Sequence, residues 1–398
     1  MLIRKLISCG TCMNNYSLRI GVGHESVQSH TFQCISCHED ITLQLHIDKT
    51  DFSTRFENID NCQDGTEEGT IYNLQPEYVF SERQLHEDQA FPWLKDLSQI
   101  AHKQMEMADA QGLTIDYVNM LEAIQGTTST EDLWKVMKKA WSLEKNGRTD
   151  LSLETLKGYV DFNFSEEQDF ENTLFHFCGR FIGPRGLSIF SSTWELLEKA
   201  KNANEAEYTR FLGYYLENVR EGNFANYLDI FTEFFRDFSE YNQVLSRVQY
   251  ELDIGDDVVS GSSSFKRTKM FYGNAFEVYT SSLCLLACIN NINKGRKFDE
   301  FQSMDLAKYL TINKAKRADP FKDIPDLQPY VDCIESTLRN ASHHKSIKLK
   351  GKKVHYRSGG TGAEKSMSYA EYLSKCINIF VCLCCLVKLE LAITHGST

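Results

Sequence analysis

Proline is scarce in this 398-residue chain, six against 23 glycines, so long stretches are free of the residue that most strongly breaks helices. No apolar run reaches the roughly 20 residues that span a bilayer. The greasiest, from Ile377 to Val387, is closed by Lys388 and Glu390 and predicts a buried helix. The stretch before Cys9 has basic residues but no apolar core of signal-peptide length, which points away from export. Positive charge is outweighed, 43 Lys and Arg against 55 Asp and Glu for a net charge of −12. Any contact with nucleic acid must therefore come from a local basic patch. P-loop, dinucleotide-binding, zincin and serine-elbow motifs are missing, as are repeats at solenoid periods. Cysteine, by contrast, is abundant at 13. Four cysteines sit in paired metal-type spacing and most others on apolar helical faces, unlike a secreted disulfide framework. The distribution predicts a reducing, cytoplasmic setting without membrane contact.

The expected fold class is mainly α. A small N-terminal β zinc ribbon covers residues 1–50, a connector 51–92, a helical middle region 93–204 and a C-terminal helical bundle 205–398. The ribbon rests on period-two alternation at Leu18, Ile20 and Val22 and again at Ile41, Leu43, Leu45 and Ile47. Residues 51–92 lose that period, carry the acidic run from Asn61 to Gly69, and predict at most one extended piece. From Trp93 the period turns helical, at Leu94, Leu97, Ile100 and Ala101 and then at Leu133, Val136, Met137, Ala140 and Trp141. Further helices are predicted near 167–182, 193–201, 205–251 (interrupted around Gly222), 268–293, 303–317, 325–345 and 366–393. The stripe Phe231, Phe234, Phe235, Phe238 and Tyr241 reads as core rather than as a base-stacking surface. Gly255 to Ser264 reads as a linker or mobile loop, and the polar stretch after residue 345 as a loop.

Cys9-Gly10-Thr11-Cys12 and Cys34-Ile35-Ser36-Cys37 are two C-x2-C knuckles at zinc-ribbon spacing. Four thiolates close a tetrahedral shell and leave no open position for catalytic water, so structural Zn2+ is the expected cofactor. His24, His30, His38 and His46 read as polar bystanders. Cys382, Cys384 and Cys385, with Cys376 earlier in the same apolar stretch, read as small core residues.

Chemistry is suggested by Leu338-Arg339-Asn340-Ala341-Ser342-His343-His344. Arg-Asn-x-x-x-His resembles the signature of the HEPN superfamily of helical ribonucleases, and Tyr272 to Glu277 resembles an earlier HEPN helix. The resemblance implies an HEPN-type bundle over 205–398 with Arg339, Asn340 and His344 catalytic. Its setting would be a toxin or an antiviral-defence effector that cuts RNA by 2′-hydroxyl attack without metal. On a helix, guanidinium, amide and imidazole at this spacing can converge on one phosphate. His343 is also four residues from Arg339, whereas the family pattern selects His344. Some relatives carry a tyrosine two residues after the histidine, where Ser346 stands here. Just downstream, Lys345, Lys348, Lys350, Lys352, Lys353 and Arg357 form an acid-free basic run that predicts RNA contact. Two-step acid and base work further implies a homodimer, for which Ile377, Phe380, Val381, Cys384 and Cys385 offer apolar surface enough for core and interface, with core alone the simpler reading. The ribbon itself offers a contact for protein or nucleic acid. The alternative is a non-catalytic HEPN-like binder of nucleic acid or nucleotide, or a zinc-ribbon adaptor.

Overall fold

Two knuckle-bearing hairpins begin the chain. The structure, a computed structural model, describes all residues except 1, 24, 49–50, 52, 77, 90, 93–97, 104, 107–129, 160–168, 256–257, 261–264, 359–361 and 396–398. Strands β1 (Leu2–Cys9) and β2 (Asn15–Gly21) pair antiparallel around the first knuckle. Strands β3 (Val27–Gln33) and β4 (Asp40–Ile47) do so around the second. Alternation buries Tyr16, Leu18 and Ile20 on β2 and Ile41, Leu43 and Leu45 on β4, as the period-two pattern requires.

Residues 51–92 are more than a connector with one extended piece. Strand β5 (Thr54–Asp60) extends the β3–β4 hairpin, β6 (Cys62–Asp64) pairs with β1, and β7 (Thr70–Leu74) runs parallel to β2. β5 is an edge strand on which only Phe56 is half-buried, so it carries no alternation to read. Strand β8 (Val79–Ser81) pairs with β9 (Val258–Ser260). Part of the Gly/Ser segment expected to be a free loop is thus held in a sheet. Val79 packs into the helical core, while its neighbour Phe80 packs into the β core.

The rest is mainly helical: α1 (Thr130–Glu144), α2 (Thr149–Leu156), α3 (Phe170–Ala203), α4 (Glu205–Asn218), α5 (Arg220–Arg236) and α6 (Phe238–Gln249). Then follow α7 (Phe271–Ser282), α8 (Cys284–Asn293), α9 (Ser336–His343) and α10 (Tyr369–His395). Ile100 and Ala101 lie in a helical stretch; Leu94 and Leu97 lie outside the described residues. The helices expected at 167–182 and 193–201 are one element kinked at Gly183 (φ 55) and Pro184. Proline cannot donate to the turn before it, and the side-chain amide of Gln249 takes that place, bonding the carbonyls of Arg180 at 3.1 Å and Phe181 at 2.9 Å. The expected 205–251 helix breaks at Val219 and Asp237 instead of around Gly222, which lies inside α5.

Helix α10 is the centre of the body and packs on α3, α6 and α7. Phe380 stacks on Phe234 with ring centres 3.7 Å apart, and the whole aromatic stripe of α5 and α6 is buried core. Ile377, Phe380, Val381, Cys384 and Cys385 are all at most 1% exposed, so none of them is left for an interface. Lys388 and Glu390 do not end the helix. The Lys388 ammonium lies over the Phe175 ring and donates to the Phe175 carbonyl at 3.0 Å, and Glu390 accepts from Tyr215 at 2.9 Å and Tyr227 at 3.1 Å. Burial pushes the Glu390 carboxyl up to about 7. By length and composition, Phe265–Asn293 and Tyr369–Thr394 could each cross a membrane. Inside the fold, however, 83% and 89% of their apolar windows are buried, as in core helices.

The helices expected at 303–317 and 325–345 are mostly short turns, with α9 the one full element. A side chain from α7 causes the break before α9. The Tyr272 hydroxyl accepts from the Glu335 amide at 3.0 Å and donates to the Cys333 carbonyl at 2.8 Å, replacing ladder bonds. The supposed loop after residue 345 is an antiparallel meander of β10 (Ile347–Lys350), β11 (Lys353–Tyr356) and β12 (Lys365–Ser368). Gly351 (φ 56) stands first in its two-residue turn, where a II′ hairpin favours glycine.

Candidate metal centre and candidate active site

The two knuckles are built alike. Met13 donates to the Cys9 carbonyl at 2.9 Å and His38 to the Cys34 carbonyl at 3.0 Å. Met13 (φ 60) and His38 (φ 63) both take the left-handed turn that aims the preceding sulfurs inward. The four thiol sulfurs of Cys9, Cys12, Cys34 and Cys37 lie within 4.8 Å of one another. Cys9 Sγ is 3.7 Å from Cys37 Sγ, and Cys12 Sγ is 3.5 Å from Cys34 Sγ. Metal–sulfur bonds of about 2.3 Å in a tetrahedron give edges of about 3.8 Å, so the cluster can hold a metal ion with little movement.

Two further residues, invisible in the spacing, complete the surroundings. The Tyr16 hydroxyl donates to Cys34 Sγ at 3.1 Å while accepting from the Ile35 amide at 2.9 Å. Asn61 Nδ2 reaches Cys9 Sγ at 3.4 Å and the Asp40 carbonyl at 3.1 Å, and Asn61 Oδ1 accepts from Thr11 at 2.9 Å. Burial alone would raise the Cys34 thiol, but the Tyr16 hydroxyl and the amides of Cys37 and Ser36 bring it down to about 6. That favours the thiolate, the form that binds metals. Among the described residues this tetrad is the one such cluster, with His30, His38 and His46 outside it; His24 lies outside the described residues. His46 instead pairs with Glu57 at 3.0 Å. Cys376, Cys382, Cys384 and Cys385 are buried core, and all 13 cysteines are free thiols.

Helix α9 lies against α7 and carries the second group. Arg339 Nε donates to Glu277 Oε1 at 2.5 Å, its NH2 pairs with the same oxygen, and NH1 donates to Asn340 Oδ1 at 2.9 Å. One N–H on each terminal nitrogen remains for a ligand. Asn340 Nδ2 in turn reaches Ser358 Oγ at 3.4 Å. Lys314 Nζ pairs with Glu277 Oε2 at 2.8 Å, and His343 Nε2 lies 3.9 Å from Glu277 Oε1. Burial works to raise the Glu277 carboxyl, but Lys314 and Arg339 together hold it below the usual carboxylate range. Glu277 and Lys314 were not singled out by the motif; the acid ending the Tyr272 to Glu277 segment was the one hint.

The helix ends in a Schellman closure. Ser346 N donates to the Ala341 carbonyl at 3.0 Å, with Lys345 (φ 55) in the left-handed position that glycine usually fills. His344 is the cap residue (φ −88, ψ 11), exposed, with no side-chain partner among the described residues. Arg339, Asn340 and His343 are thus brought together, and His344 stands beside them at the helix cap, its amide bonding the Asn340 carbonyl at 3.0 Å. Ser346 bonds the Arg357 carbonyl at 2.8 Å.

The meander divides the basic run. Lys352 pairs with Glu82, and Arg357 with Glu364 at 2.7 Å. Lys345, Lys348, Lys350 and Lys353 are exposed, without side-chain partners among the described residues. Lys350 stands directly opposite Lys353 in the hairpin, a like-charge pair that costs stability unless an anion offsets it. Comparison with protein-family models, curated proteins and solved structures finds no match to this chain.

Proposed function

We propose that this chain is a metal-independent endoribonuclease of HEPN type, carrying a structural zinc ribbon at its N-terminus. The observation that carries the reading is the half-exposed Arg339 guanidinium, held by Glu277 and Asn340 with one N–H on each terminal nitrogen unpartnered among the described residues. Such a fork takes a phosphodiester bidentately. Imidazoles adjoin it, and the open lysines of β10 and β11 supply the attraction for a polyanion. With the phosphate held, an imidazole removes the 2′-hydroxyl proton, the 2′-oxygen bonds to phosphorus and the P–O5′ bond breaks. A proton delivered to the 5′-oxygen completes the step, leaving a cyclic phosphate and a 5′-hydroxyl. The set is Arg, Asn and His, where a two-metal site would need several carboxylates. Zinc suits the all-sulfur tetrad and supplies folding energy to the ribbon. A homodimer pairing two α9 ends would supply base and acid from two copies. A cytoplasmic toxin or defence effector is the setting this chemistry fits.

The test is RNA incubated with the purified protein in a magnesium chelator. Fragments with cyclic phosphate ends are expected, lost in Arg339→Ala, with specific activity rising with protein concentration. Intact RNA with folded wild type at every concentration would sink the proposal. The Glu277 carboxylate on Arg339 favours a second reading, a site that binds nucleic acid or nucleotide without cutting it, or an adaptor. RNA binding that leaves the strand whole would select that reading.

A further inference from the structure

We propose that the histidine serving this site is His343, positioned by Glu277, and that His344 is dispensable. The inference rests on the RNA-cleaving reading above and departs from the motif pattern, which selects His344.

Helix geometry is the first ground. Residues four apart stack on one face only while the helix continues, and α9 stops at His343. Arg339 and His343 are therefore a true helical pair. Asn340 and His344 meet only at the cap, where the His344 amide still bonds the Asn340 carbonyl at 3.0 Å and the Schellman closure turns the chain away directly after it.

The second ground is convergence. Arg339 and His343 approach the same atom, Glu277 Oε1, one bonded at 2.5 Å and the other 3.9 Å away. A small rotation closes the longer gap, and a carboxylate on one imidazole nitrogen decides which nitrogen carries the proton. Lys314 on the other carboxylate oxygen keeps Glu277 fixed.

The third ground is space. Gly273 lies one turn before Glu277 on α7, and a Cβ there would stand 3.2 Å from His343 Nε2 and 3.0 Å from Ser342 Cβ. Glycine inside a helix costs about 0.5–1 kcal/mol, and here it leaves room for the exposed His343 ring to rest against α7. His344, exposed as well, has neither that contact nor a side-chain partner among the described residues.

The experiment measures cleavage by wild type, His343→Ala, His344→Ala and Glu277→Gln, each first shown folded by thermal melting. Loss of a general base predicts a kcat fall of about 100-fold or more for His343→Ala. Added imidazole should restore part of it, which a merely structural role would not allow. His344→Ala should stay within about threefold, and Glu277→Gln should lower kcat more than it raises KM. If His343→Ala fails to fold, His343→Gln replaces it with the same expectation. An active wild type with inactive His344→Ala and active His343→Ala overturns this assignment and leaves the ribonuclease reading standing. An inactive wild type defeats the ribonuclease reading and the assignment with it.

Discussion

Replacing Asn61 by alanine removes a side chain that reaches Cys9 Sγ, the Asp40 carbonyl and the Thr11 hydroxyl at 3.4, 3.1 and 2.9 Å. It also leaves alanine at φ 48, in the left-handed region. The two effects separate cleanly. Outer partners of a metal ligand are worth about 10- to 100-fold in metal affinity, which is about 1.4–2.8 kcal/mol. The left-handed backbone costs a non-glycine residue a further 1–2 kcal/mol, roughly, of fold stability. Asn61→Gly should therefore show the affinity loss with the loss of the Asp40 and Thr11 bonds, and Asn61→Ala the same losses plus the left-handed stability deficit. Affinity is read by competition with a chromophoric chelator and stability by denaturant titration of the metal-loaded proteins. Unchanged affinity in both variants would refute the claim that Asn61 supports the Cys9 thiolate.

Phe380→Ala empties a fully buried position stacked on Phe234 and should cost about 3–5 kcal/mol in chemical denaturation. Glu390, raised from 4.5 to about 7 by burial, keeps its proton in the folded state where the unfolded chain has released it. Stability should then fall as pH rises between those values, by about 3 kcal/mol in all at about 1.4 kcal/mol per unit. Glu390→Gln should flatten that slope in denaturation measured across the range. Replacing Lys348, Lys350 and Lys353 together by Gln should weaken RNA binding and lower the salt-dependence slope by about two to three, with little loss of Tm because Lys350 and Lys353 repel each other. An unchanged slope would remove the meander from the binding surface.

The knuckles were legible because both halves of each turn are local: two cysteines with two residues between them, then a residue in the left-handed turn. Asn61 was not, since it reaches Cys9 only once β5 and β6 have brought it there from 52 positions away. The α9 boundary had the same difficulty, because the Tyr272 hydroxyl that interrupts the backbone ladder lies more than 60 positions upstream. The meander could have been found, with Ile347 and Leu349 facing Val354 and Tyr356 in a two-residue hairpin, but its lysines drew attention to charge rather than to period. Edge strand β5 carried no such pattern. The expectation of a mainly helical body was sound; at the Gly183-Pro184 kink the freed carbonyls of Arg180 and Phe181 are met by Gln249 from α6, 69 and 68 positions on.

Strand β8 has a consequence of its own. Its alternation sends Val79 to one core and Phe80 to the other, so a single residue inserted upstream would exchange their faces. The strand works like a keyed shaft between two housings, and the pairing of Val79 with Ser260 and Phe80 with Val259 locks the key. Loss of the thiolate cluster at the front of the chain would be felt by the helices through the three β8–β9 pairs, the Val79 packing and the Lys352–Glu82 ion pair. A one-residue change in length between residue 74 and β8 should accordingly disturb both cores at once, where a change of size at position 79 or 80 disturbs one.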